Sequence, residues 1–122
     1  MMGLNFPNLF SPLVVGPTRL KNRIFSTGHM TVMVKDGVPS DAMVAYHKAR
    51  AEGGAGLIII EAARAHVSGD SDRPAIRAYK DACIPGYRRI AEACHPFDCK
   101  VFARSEERRV GKECRSRWAP SH

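Results

Sequence analysis

No apolar run in the 122 residues approaches the ~20 needed to cross a bilayer, which excludes an integral membrane protein and any membrane partner from the expectations. The opening Met-Met-Gly-Leu-Asn-Phe-Pro-Asn lacks a basic stretch followed by an apolar one, so no secretory signal is expected and the chain reads as cytoplasmic. Its four cysteines, Cys83, Cys94, Cys99 and Cys114, form no C-x-x-C pair. They read as reduced packing residues. Cys94, His95 and Cys99 lack a fourth ligand at usual spacing, so no metal is expected. Neither G-x-G-x-x-G nor G-x-x-x-x-G-K-[ST] is present, which removes a Rossmann dinucleotide turn and a P-loop.

What is there is ordinary for a soluble globular chain: 44% apolar, 25% charged and 7% aromatic. The length allows one domain. The net charge of +7 is unevenly spread. Residues 1–103 hold 13 Lys and Arg against nine Asp and Glu, and residues 104–122 hold six against three. Arg108-Arg109 and Arg115-Ser116-Arg117-Trp118 could contact phosphate backbones, the alternative reading being a small basic nucleic-acid-binding protein that uses this Arg-rich tail. No recognisable nucleic-acid-binding fold accompanies them, and no nucleic-acid partner is expected.

Three apolar runs alternate with two helical patterns. Arg23-Ile-Phe-Ser-Thr-Gly28 is the first run, Leu57-Ile-Ile-Ile-Glu61 the second and Lys100-Val-Phe-Ala103 the third. The second is continuous and β-branched, as in a strand covered on both faces of a parallel sheet. Pro39-Ser40-Asp41 supplies a helix cap and an acidic first turn, and Gly53-Gly54 a left-handed stop. Within that helix, Ala42, Tyr46, Ala49 and Gly53 are expected to form the packed stripe. A second helix begins near Ile84-Pro85-Gly86, presents Tyr87, Ile90, Ala91 and Cys94, and stops before Pro96. Upstream, Leu13 to Leu20 reads as a hairpin around Gly16-Pro17. Strand, helix, strand, helix, strand implies α/β architecture with right-handed crossovers.

The stretch from Ala62 to Cys83 is too long for an ordinary βα loop and carries Gly69-Asp-Ser-Asp-Arg-Pro74, so function is expected there. The glycine-rich Gly53-Gly-Ala-Gly56 sits at a helix C-terminus, where the dipole repels anions, and reads as a cap and turn. His29 follows the first strand, where α/β enzymes place chemistry, although a lone loop histidine is more often ordinary. His47 and His66 default to structural or solvated roles. Glu61 closes an apolar strand and therefore needs a partner, either an arginine or a site.

Taken in order, several motifs resemble the N-terminal part of the old yellow enzyme family, in its NADH:flavin oxidoreductase branch. They are Leu9-Phe-Ser-Pro-Leu13, Gly16-Pro17, Leu20-Lys-Asn-Arg-Ile24, Asp36-Gly-Val-Pro39, Arg50-Ala-Glu-Gly-Gly-Ala-Gly-Leu-Ile58 and Glu61-Ala62, within residues 8–103. The resemblance implies the N-terminal part of an FMN-binding (β/α)8 TIM barrel, about three βα units, over residues 1–103. It implies an FMN-dependent oxidoreductase that takes hydride from NADH or NADPH through flavin N5 and acts on a small-molecule substrate. Thr27, Gly28, His29 and Met30 would face the isoalloxazine ring from the exit of strand one, and Ala62 from the end of strand two. Met30 replaces a Thr or Cys frequent in the family, so covalent attachment is not expected. Arg104 stands where the family usually has a glutamine. No catalytic residue is assigned, and neither substrate nor oligomeric state is legible. With the later phosphate-binding loops absent from the sequence, the chain alone is expected neither to hold FMN tightly nor to turn over. Residues 104–122 read as a non-native tail.

Overall fold

The computed structural model describes residues 5–106. A hairpin opens it, β1 (Leu13–Val15) against β2 (Thr18–Leu20), turning at Gly16 with φ +56°. Then come β3 (Phe25–Ser26), a second hairpin of β4 (Val34–Lys35) and β5 (Val38–Pro39), and α1 (Asp41–Glu52). The chain continues through β6 (Leu57–Arg64), β7 (Ile76–Arg77), α2 (Ile84–Cys94) and β8 (Lys100–Glu106). Asp36 and Gly37, with φ of +53° and +79°, close the second hairpin through the paired left-handed residues that a tight two-residue turn requires.

β6 is the central strand. It pairs in parallel with β3 at Leu57 and Ile58, and with β8 from Leu57 to Arg64. Two parallel neighbours joined by helical crossovers make this a βαβαβ unit. β7 adds to the far end of β6, where Ile76 faces Ala63, so the long stretch after β6 returns to the sheet once before α2. Helices and sheet enclose one core. It contains Met43 and Ala51 of α1, Ile58, Ile60 and Ala63 of β6, Ile76 of β7, and Ile90 and Cys94 of α2.

The caps form as the composition dictates. Ser40 Oγ accepts from Met43 N–H at 3.2 Å and donates to the Met33 carbonyl at 2.5 Å. Ser40→Ala should therefore lower stability by about 1 kcal/mol, read as a shift of the urea midpoint. An unchanged midpoint would show that water replaces both bonds. α1 ends at Gly53, followed by Gly54 at φ +112°. Its buried face differs from the expected stripe: Met43, His47 and Ala51 are buried, whereas Ala42, Ala49 and Gly53 are exposed. Small and apolar residues run from Ala42 to Tyr46, nearly encircling the helix, so spacing alone leaves its rotation open. The larger Met43 fills the core.

α2 keeps Ile90 and Cys94 inside, ends before Pro96, and is followed by a turn that Asp98 terminates in the left-handed region. Cys83, Cys94 and Cys99 are all buried, and burial pushes the Cys94 thiol up to about 11. They are protonated packing groups at neutral pH. No described helix is long and apolar enough to cross a membrane. β8 runs to Glu106, so its last three residues, Arg104 to Glu106, lie within the stretch that the sequence assigns to the tail. Arg108-Arg109 and Arg115-Ser116-Arg117-Trp118 lie outside the described residues.

Candidate cofactor site

The C-terminal ends of β3, β6 and β8 open onto a cleft of about 530 Å³. That volume falls within the range of small-molecule and cofactor sites. Gly28, His29 and Met30 leave β3 along one wall, and Ala62 and Arg64 project from the end of β6. Gly69, Asp70, Ser71 and Arg73 close it from the loop after β6, with Arg104 and Glu106 of β8 opposite. Four of the five residues expected at a cofactor, Gly28, His29, Met30 and Ala62, thus meet in one cleft. Thr27 does not line it, and instead offers its carbonyl to His29.

A β-bulge explains how β6 serves both core and cleft. Ile59 pairs with Phe102 but Ala62 pairs with Arg104, so β6 carries one extra residue at Ile60–Glu61. The insertion reverses side-chain alternation, as bulges do. Ile58, Ile60 and Ala63 enter the core while Ala62 and Arg64 line the cleft. Gly28 lies against the bulge: a Cβ there would stand 3.2 Å from the Ile60 carbonyl oxygen, so a side chain would push the β3 exit away from β6.

His29 is held at both ring nitrogens. Nδ1 lies 3.2 Å from the Thr27 carbonyl, which can only accept, so Nδ1 carries the proton. Nε2 then accepts from the Tyr46 hydroxyl at 2.6 Å. Arg50 stacks its guanidinium 3.4 Å from the Tyr46 ring centroid, fixing that ring on α1. The histidine that sequence alone left as an ordinary loop residue is in this way oriented by two partners.

The charged lining is also tied down. Buried Arg64 donates to Glu106 Oε2 at 2.5 Å and to Ser71 Oγ at 2.7 Å, joining β6, β8 and the loop between β6 and β7. Asp70 accepts from the Tyr79 hydroxyl and from Arg77 Nε, and the Tyr79 bond above all lowers its pKa. The length and polarity of the 62–83 stretch signalled this loop in advance. Arg64 and Tyr46 carried no such signal, since one ends an apolar strand and the other lies mid-helix.

A flat tricyclic ring would need a slot without bulky side chains, and the small residues Gly28 and Ala62 line this cleft. Arg104 and Arg73 add positive charge to the lining, while Arg64 is paired with Glu106. The residues present fit one face of a flavin.

A sequence model of the NADH:flavin oxidoreductase / NADH oxidase family matches residues 8–115. Among curated relatives, an NADH oxidase of Thermoanaerobacter brockii is 35% identical over 100 residues, covering 80% of this chain and 15% of that protein. An N,N-dimethylglycine/sarcosine dehydrogenase of Chromohalobacter salexigens is 32% identical over 117 residues, covering 93% and 16%. The old yellow enzyme of Trypanosoma cruzi superposes with a TM-score of 0.74 at 33% identity, over 83% of this chain and 27% of that one. The chain therefore spans about a sixth of the length of those curated relatives. Its α/β unit corresponds to part of a TIM barrel, and the described residues do not close one. The nucleic-acid alternative finds no support in these matches. By a family match over residues 8–115, and by a fold shared with old yellow enzyme structures, the chain belongs to the NADH:flavin oxidoreductase / NADH oxidase family.

Proposed function

We propose that the chain provides one wall of an FMN site in an NAD(P)H-dependent oxidoreductase of the cytoplasm, with Gly28, His29, Met30 and Ala62 against the flavin. The observation that supports this reading is the convergence of residues from two strand exits on one cleft at the C-terminal ends of parallel strands, where barrels of this architecture hold their chemistry. When bound, FMN supplies a hydride acceptor and donor at N5, between NADH or NADPH and a small-molecule substrate. Gly28 and Ala62 admit the ring. His29 is held at Nδ1 by the Thr27 carbonyl and at Nε2 by the Tyr46 hydroxyl, so it orients the wall. Met30 is 45% exposed and has no thiol or hydroxyl to offer, so the attachment is non-covalent. Thr27 acts through its carbonyl.

One wall gives weak binding. The 122-residue chain should quench FMN fluorescence with a dissociation constant near ~1 mM, equivalent to about 4 kcal/mol, and should show no NADH turnover. Ala62→Trp fills the cleft from a half-buried position outside the core. It should weaken FMN binding by about tenfold or more while leaving the unfolding midpoint within about 0.5 kcal/mol. Equal FMN affinity in wild type and Ala62→Trp would remove the cleft from the reading.

A further inference from the structure

The segment that carries His29 and Met30 continues into a turn that should not hold itself. Val32 sits at φ +63°, a left-handed conformation that is a genuine outlier for a β-branched residue, and its side chain is 63% exposed. Its packing therefore does little to offset the strain. What fixes the turn is polar. Thr31 Oγ1 accepts from Met33 N–H at 3.2 Å, bridging Val32. Both Thr31 N–H and Thr31 Oγ1 donate to a single oxygen, Glu61 Oε1, at 3.2 and 2.5 Å.

Glu61 is 1% exposed and sits in the bulge of β6, immediately before Ala62. Its second oxygen has no partner among the described residues. A buried carboxylate in a strand otherwise apolar from Leu57 to Ala63 is costly to fold, and a packing role alone would be met by an aliphatic residue. From sequence alone its partner is open between an arginine and a site. The partner is the threonine just beyond Met30.

We infer that Glu61 is a positioning residue for the cleft: through Thr31 it clamps the strained 31–33 turn and so holds His29 and Met30 against the end of β6. The Tyr46 hydroxyl on His29 is the second tether of the same wall, from α1. Strain kept at a site by surrounding contacts is a recognised means of preorganisation. The bulge places clamp and floor in adjacent residues, Glu61 and Ala62. Any displacement of one reaches the other.

This inference rests on the proposed FMN site only for its consequence, so the test separates the two. Amide exchange is followed on the full chain at Thr31 and Met33, with Ile58 and Ile60 of the β6 core as internal reference. Glu61→Ala and Thr31→Val should each speed exchange at Thr31 and Met33 relative to that reference by about tenfold. Thr31→Ser keeps the hydroxyl and should stay within about threefold of wild type. Val32→Gly removes the left-handed penalty, so adding it to Glu61→Ala should recover a large part of the lost protection. A residue that merely fills the core would not be rescued at position 32. Equal loss at all four amides in both Glu61→Ala and Thr31→Val, or no recovery with Val32→Gly, overturns the clamp. Binding of FMN itself, read by fluorescence quenching, should weaken about tenfold in Glu61→Ala and recover in the double variant. If wild type fails to quench FMN, the cofactor reading falls while the exchange data still decide the clamp.

Discussion

Gly56→Ala is expected to destabilise the protein by about 3 kcal/mol, combining overpacking with the disturbance of buried hydrogen bonds. A Cβ at Gly56 would stand 3.0 Å from the Asn22 carbonyl oxygen and 3.2 Å from Asn22 Cγ, and closer still to its Oδ1. Asn22 has nowhere to retreat. It is 5% exposed, with Oδ1 accepting from Ile24 N–H at 3.0 Å and Nδ2 donating to the Gly54 carbonyl at 2.8 Å. Gly56 itself donates to the Ile24 carbonyl at 2.9 Å and accepts from Lys100 N–H at 3.0 Å. The entrances of β3, β6 and β8 are joined at this one residue. Gly53→Ala is the control, because its Cβ would meet only the Ala49 and Arg50 carbonyls at 3.4 and 3.5 Å, with φ −74°. Urea unfolding should separate the two variants clearly, with Gly53→Ala within about 0.5 kcal/mol of wild type. Equal midpoints would mean that the three-strand junction adapts to an added methyl group.

Those two glycines show what sequence can and cannot supply. The run Gly53-Gly-Ala-Gly56 marks the end of a helix and a turn, and the structure places α1's end and a left-handed Gly54 there. The third glycine answers a different demand, close approach to Asn22, which is 34 residues away in sequence. Local pattern carries no information about that neighbour. The first hairpin, β3, β6 and β8, both helices and the caps were legible because each depends on a few adjacent residues: Ser40 before α1, the β-branched run in β6, Pro96 after α2; the short strands β4, β5 and β7 were not. The rotation of α1 was not, because Ala42 to Tyr46 offer a small or apolar residue to almost every direction and only tertiary contact selects Met43 and His47.

The cleft was legible to the extent that it follows from topology. Residues after β3 and at the end of β6 had to meet if the strands were parallel neighbours, and Gly28, His29, Met30 and Ala62 do. Thr27 lies one residue too early to reach it. The bulge at Ile60–Glu61 could not be foreseen, since an inserted residue leaves an apolar run looking continuous. Without it, strict alternation along β6 would assign Ala62 to the same face as Ile58 and Ile60, inside the core. Resemblance to a family points Ala62 towards a cofactor, and the bulge turns it into the cleft, where strict periodicity would bury it.

Acid should unfold the protein earlier than its carboxylates alone would require, with His47 responsible. Its side chain is 2% exposed, and neither ring nitrogen has a hydrogen-bond partner among the described residues. Burial first, then the nearby positive charge of Arg50, lower its pKa from 6.5 to about 4. In the unfolded chain the imidazole takes up a proton near pH 6.5, whereas the folded protein resists until about pH 4. The unfolded state thus binds more protons between those values, so stability falls as pH falls from about 6.5 to about 4 and levels off below. The loss attributable to this group approaches about 3 kcal/mol, a large share of a typical domain's stability. His47→Met keeps an unbranched, core-compatible side chain and cannot titrate. Denaturant unfolding at pH 7 and pH 4.5 should show wild type losing about 2 kcal/mol more than the variant over that interval. Carboxylates common to both proteins cancel in the difference. Parallel pH profiles would place a proton on His47 in the folded state at pH 4.5, and with it a water or side chain that the described residues do not contain. The same buried ring packs edge-on to Tyr46 at 5.2 Å, so protonating it also disturbs the hydroxyl that orients His29. Loss of the cleft wall should therefore precede global unfolding on acidification, visible as faster exchange at Gly28 to Met30 before the β6 amides respond.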